Sequence, residues 1–205
     1  THVAPAWSSC TCRVIWSRMF GMLTLDVTRD GVSLVMGVRN SHDKSFSLGV
    51  VAGFRVFVCD NLAFSGDFQP LAKKHSKHLL RDLPDALDLA GGRIQRQFPQ
   101  IMSRIDQWKS SQLSDNDAKS LIYRSFIMGE LDAPERLAGI VHQHYFNPPH
   151  EEFAPRTLWS LQNAYTEAFK ELAPQPQYKA LASLDTIFGG IIPPAIDAEI
   201  LSDQD

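Results

Sequence analysis

The stretch FGMLTLDVTRDGVSLVMGVRNSHDKSFSLGVVAGFRVFVC, residues 20–59, decides how the front of this chain is read. Residues 20–28 nearly alternate apolar and polar, with Met22 and Leu23 breaking the strict period of a half-buried strand. Asp30 and Gly31 form a turn signal after Arg29, because glycine accepts the positive φ of a tight hairpin. Residues 32–38, rich in Val and Leu, read as the return strand. Residues 46–59 read as a third, long strand with a bend at Gly49 or Gly53, where a missing side chain permits a bulge. Three antiparallel strands in succession make a meander, and one face of a meander is open unless something covers it.

Beyond residue 79 the pattern changes to that of helices. Residues 79–108 are broadly helical, with Pro84, Gly91, Gly92 and Pro99 as interruptions. Ser114 and the acids Asp115 and Asp117 carry helix-start chemistry, since a serine oxygen accepts an orphan N–H and carboxylates favour the positive end of the helix. Asp132, Pro134 and Glu135 give a second start signal. Thr157 is a cap for residues 158–172, where Leu158, Leu161, Tyr165, Ala168, Phe169 and Leu172 keep helical spacing. Pro148, Pro149 and Pro155 stiffen residues 147–156. A last helix spans 177–188 and is expected to stop at Gly189 and Gly190. Strands first and helices second predict an α+β chain: an N-terminal antiparallel β-meander of about three strands, with a helical C-terminal half packed on one face. The two parts, 1–70 and 71–190, belong to one domain, followed by an acidic tail at 191–205.

With 205 residues, 44% hydrophobic and 21% charged, the chain can bury a core without staples. No apolar run reaches the roughly 20 residues of a membrane helix. Cys10, Cys12 and Cys59 are an odd set and read as reduced thiols, which suits the cytoplasm. The net charge of −3 is divided unevenly. Residues 1–129 hold 16 Lys and Arg against 11 Asp and Glu, whereas residues 130–205 hold 4 against 12. Such a division fits a basic working surface with an acidic appendage, and it also fits chance variation over a surface.

The hairpin connection 39–45 is more polar than a turn needs. Asn40, Ser41 and Asp43 are good turn formers because their short side chains bond nearby backbone. Arg39 and His42 are not explained that way. A histidine beside an aspartate can be held in one tautomer and used as a base, and Arg39 with Lys44 can meet phosphate. Lys73, Lys74, His75 and Lys77 form a basic cluster, and Arg93, Arg96, Arg104 and Lys109 extend the positive charge. As a nucleic-acid surface these residues supply salt-sensitive phosphate contacts, with Phe64 and Phe68 placed to stack on bases. As ordinary surface they are a solvated loop and helix start. On the 158–172 helix, Trp159, Asn163, Thr166 and Lys170 share a second face, so Asn163 and Thr166 can join the polar hairpin connection in one network or pocket. His142, His144 and His150, with Glu151 and Glu152, suggest a metal only weakly, because helical residues two apart point away from each other. No phosphate-binding glycine loop, metalloprotease signature or nucleophile elbow is present, and nothing calls for a cofactor.

Several of these elements occur together in a known pattern. Arg39 to Ser45, then Gly53 and Arg55, Val58 to Asn61, and Gly66 with Asp67 resemble a family of phages, plasmids and other mobile elements. That family is classed as domain of unknown function number nine-thirty-two and labelled phage/plasmid-like protein. Its later elements, a basic residue before His and a helix with Trp, Asn-Ala and Thr-Glu, correspond to Lys74-His75 and to Trp159, Asn163, Ala164, Thr166 and Glu167. Lys44, Leu62 and Ser76 depart from the pattern, so the turns can differ in shape. The resemblance brings no reaction; it implies a mobile-element setting. The order of strands and helices also resembles phage single-strand annealing proteins at the level of fold alone.

Three functions follow as expectations. The first is a nucleic-acid-associated protein binding or annealing single-stranded DNA as a homo-oligomer, through Arg39, Lys44, Arg55, Lys73, Lys74, His75 and Lys77. A polar network of Asn40, Ser41, His42, Asp43, Asn61, Asn163, Thr166 and Glu167 would hold the hairpin tip in that reading. The second is a module that binds a host protein to modulate defence or replication. The third is a metal-dependent hydrolase.

Overall fold

The computed structural model describes residues 11–17, 20–39, 49–56, 61–64, 92, 96 and 98–191, with side chains at 29–35, 54, 56, 92, 96, 98–173 and 176–189. Five strands come first: β1 (Thr11–Ser17), β2 (Phe20–Arg29), β3 (Val32–Arg39), β4 (Gly49–Val56) and β5 (Asn61–Phe64). They form one antiparallel sheet in the order of the chain. The expected count of about three is therefore low. Asn61–Phe64 is only four residues long and follows Asp60, and Thr11–Ser17 lacks a regular alternation, so neither announces itself by period. The strand expected over 46–59 runs as Gly49–Val56. Asp30 (φ 50°) and Gly31 (φ 75°) both lie in the left-handed region at the β2–β3 turn, the geometry a two-residue hairpin needs.

Helices follow: α1 (98–110, with Gly92 and Arg96 also helical), α2 (Asp115–Phe126), α3 (Leu137–Phe146), α4 (Leu158–Phe169) and α5 (Pro174–Ile191). The helical second half agrees with the sequence pattern, and three details differ. Pro99 lies within helical residues instead of ending them. α5 starts at Pro174, in the first turn where a missing N–H costs nothing, and it continues through Gly189 and Gly190 to Ile191. α3 starts at Leu137, and its N-cap residue Arg136 makes no side-chain cap bond. The Asp132 region is used differently, its backbone N–H donating to Ser183 Oγ of α5 at 3.1 Å.

The register of β3 on β4 places Val32 opposite Val56 and Leu34 opposite Phe54. These four share one face and are buried in a single cluster with α1 (Met102, Ile105, Trp108), α4 (Trp159, Leu161) and α5 (Leu184, Phe188). Removing each such side chain from water contributes about 1.5–3 kcal/mol, which couples sheet to helices. Phe54 meets Trp159 with ring centroids 6.1 Å apart. Ser33 and Val35, on the other face, are buried too, so the sheet is covered there on both sides. α4 lies at the centre of the helical half: every residue of it except Glu167 is buried. The two-faced helix suggested by its sequence is in fact enclosed all round, its polar side chains included.

Candidate functional site

α3 buries Leu137, Val141 and Tyr145 at i, i+4 and i+8. Its C-terminal carbonyls, which have no partner within the helix, are taken up by Arg156. Nη1 donates to Tyr145 O at 2.6 Å and Nη2 to Phe146 O at 3.2 Å. The same guanidinium lies over the Tyr145 and Phe146 rings, 5.2 and 4.9 Å from their centroids, and Nε is 3.7 Å from Asp115 Oδ1. One arginine thus ties the start of α2, the end of α3 and the entry to α4. Thr157 then caps α4, its Oγ1 accepting from Ser160 N at 3.2 Å. Beside it the segment before α4 pairs with the segment after α1, through the Gln112–Thr157 bridge and Leu158 N donating to Ser111 O at 3.0 Å.

This scaffold makes a shallow cleft of about 240 Å³, open to solvent, between the 147–156 link and α4. His144, Pro148 and His150 line one side, and Ser160, Asn163 and Glu167 line the other. Two stretches that the sequence offers separately, the histidine-rich segment and the Trp159–Glu167 segment, therefore share one wall. Its enclosed part has room for about one water molecule. Glu167 accepts from Lys170 Nζ at 2.6 Å. His142 is outside the cleft and packs at a tilt on Phe146, ring centroids 4.5 Å apart. Among the described residues, no group of three or more His, Cys, Asp or Glu is placed to hold a metal ion.

The other expected residues are placed as follows. Asn163 Nδ2 donates to Trp159 O at 2.9 Å, and Thr166 Oγ1 donates to Asn163 O at 3.0 Å, so these bonds stay within α4. The remainder of the expected network, Asn40, Ser41, His42 and Asp43, lies outside the described residues, as do Lys44, Lys73, Lys74, His75 and Lys77. Asn61 opens β5 opposite Val56. Arg39 closes β3 opposite Gly49, and Arg55 sits opposite Ser33 on β4. By the two-residue period of a strand, both positions fall on the sheet face away from Val32, Leu34, Phe54 and Val56.

Of the four cations expected to extend the basic surface, Arg104 and Lys109 are engaged inside the chain, Arg96 is exposed, and Arg93 lies outside the described residues. Arg104 Nη1 donates to Asp185 Oδ1 at 3.1 Å, and its guanidinium lies 5.6 Å from the Trp108 ring. Lys109 Nζ lies 5.5 Å from the Trp159 ring. Lys119 does the same over Phe146, while Arg124 pairs with Glu130 and Arg136 with Glu171.

Arg156 and the Tyr165–Ser125 pair hold the surrounding helices together and are not signalled by the sequence. The Tyr165 hydroxyl donates to Ser125 Oγ at 2.9 Å across 40 positions, a contact that no local pattern encodes. Burial raises the Tyr165 phenol above its ordinary range, opposed by the Ser125 bond and assisted by Glu130. Tyr145 is raised as well, by burial, with Arg156 pulling the other way.

Compared with known families, residues 13–185 match the one described as Domain of unknown function (DUF932). No curated protein and no solved structure matches the chain.

Proposed function

As the chain belongs to the DUF932 family, whose function is unknown, we propose that it is a nucleic-acid-associated protein of phages and plasmids. It binds or anneals single-stranded DNA as a homo-oligomer. The observation that carries this reading is the division of charge. Residues 130–205 have 4 Lys and Arg against 12 acids, and three of those cations, Arg136, Arg156 and Lys170, are within 4 Å of a carboxylate of the chain itself. The surplus of 16 against 11 lies in residues 1–129, with Arg39 and Arg55 on one face of the sheet and Lys44, Lys73, Lys74, His75 and Lys77 in the connections. Ser33 and Val35, on that face, are buried. The β-meander as a cationic platform braced by helices, loosely like a phage annealing protein, is part of the same proposal.

The test is fluorescence anisotropy of a labelled single-stranded oligonucleotide titrated with full-length protein at several salt concentrations. Affinity is expected to fall steeply with salt. Replacing Lys73, Lys74 and Lys77 by Glu should abolish binding while the melting temperature holds. Milder replacement by Gln should reduce the slope of log K against log salt by about 0.7 per lost contact. No binding at low salt overturns the reading.

A second reading, a module that binds a host protein, is favoured by one observation. Tyr123, Ile127 and Met128 are large apolar side chains 57%, 44% and 65% exposed at the end of α2. If they form the working surface, Ile127→Glu with Met128→Glu removes the biological effect and leaves oligonucleotide binding and stability intact.

A further inference from the structure

Where α1, α4, α5 and β4 meet there is a small, partly open cavity lined by Phe54, Trp108, Gln162, Leu184, Asp185 and Phe188, among others. Most of the lining is apolar, yet two of its residues carry a buried polar atom with no hydrogen-bond partner among the described residues: Trp108 Nε1, a donor, and Gln162 Oε1, an acceptor. Both residues are nearly inaccessible, at 2% and 3% exposure. A buried polar atom without a partner is costly, and buried groups in folded proteins are almost always satisfied, by ordered water where protein atoms do not serve. The cavity has room for about one water molecule.

We propose that this cavity is a water-binding site, occupied by a single ordered water that links Trp108 of α1 to Gln162 of α4. The donors and acceptors balance. The indole N–H donates to the water oxygen, one water proton goes to Gln162 Oε1, and the other goes to the Asp185 carboxylate on the same wall. Three partners are the usual number for a buried water. Asp185 is itself held by Arg104, whose Nη1 donates to it at 3.1 Å. The water therefore connects the α1–α5 ion pair to the central helix, and gives an otherwise apolar junction a fixed polar register.

The experiment is NMR of the full chain, isotopically labelled. The Trp108 indole signal is identified by its loss in Trp108→Phe. A cross-peak between that indole proton and a long-lived water is expected in the wild type and should disappear in Gln162→Met. An indole proton without such a cross-peak in the wild type overturns the proposal. So does a crystal structure in which the cavity is dry, or in which Gln162 bonds Trp108 directly. Stability gives a second measurement. Gln162→Met and Trp108→Phe are each expected to lower the folded-to-unfolded ratio by about ten-fold. Because both act on one water, the double variant should lose clearly less than the product of the two, and full additivity counts against the site.

Discussion

Tyr145 and Tyr165 are both deeply buried, and their hydroxyls differ in one respect that can be measured. Tyr165 donates to Ser125, whereas the Tyr145 hydroxyl has no partner among the described residues. Tyr165→Phe leaves a buried serine oxygen short of a bond and should cost about 1–2 kcal/mol. Tyr145→Phe removes an orphan and should be neutral or stabilising by up to about 1 kcal/mol; urea midpoints compare the two. The raised Tyr165 phenol adds a pH dependence. Its neutral form is favoured in the folded chain, so that contribution is complete below the unfolded value of about 10 and is lost as pH rises past it. Stability measured from about pH 9 to 11 should therefore fall, and Tyr165→Phe should flatten the fall. Gly189 is a third case. A Cβ there would meet Arg104 Nη2 at 2.7 Å. Gly189→Ala gains helix propensity, up to about 1 kcal/mol, but displaces Arg104 from Asp185. Little net change is expected in the wild type and a gain in an Arg104→Met background, seen in melting temperatures. None of these pairings was legible in the sequence, because each joins positions far apart, and a serine or an arginine carries no local sign of its distant partner.

Helix starts were more legible than any other element, since capping is local chemistry. Ser114 accepts from Asp117 N at 3.1 Å and Thr157 from Ser160 N at 3.2 Å, both at the expected positions. Thr157 is buried and Ser114 exposed, so Thr157→Ala should cost about 1–2 kcal/mol and Ser114→Ala about 0.5–1 kcal/mol. Thr157→Ser should restore most of the loss, as read by thermal melts. The start signal at Asp132, Pro134 and Glu135 precedes α3, whose first turn bonds back to Pro134 O and Glu135 O, while Asp132 N–H donates to Ser183 instead of entering a cap. Gly189 misled because it lies inside α5 with the Arg104 guanidinium passing close to it, so the glycine marks a close approach and not a stop. Along α4 the polar positions read as a second face that could join the hairpin connection in one network or pocket. They are buried because neighbours pack on both sides of the helix, and the single-helix pattern cannot register that.

At the scale of the whole molecule, Val32, Leu34, Phe54 and Val56 of the sheet share one core with α1, α4 and α5. Sheet and helices are therefore expected to unfold in one transition, with circular dichroism and tryptophan fluorescence giving coincident urea curves. Trp159→Ala removes the ring between Phe54 and Lys109 and should cost about 3–5 kcal/mol, again in a single transition. The charge division was readable in the sequence. The consumption of Arg104 and Lys109 by internal partners was not, because it depends on how α1 lies against α4 and α5. The bridge between Gln112 and Thr157 bears on how such a chain can change. The polypeptide departs from the central assembly and comes back to it through one doorway, so the α2–α3 excursion is a closed circuit with adjoining ends. Re-cutting that circuit would be felt in α4 as well, because Phe126 stacks on Tyr165 and Ser125 accepts from its hydroxyl.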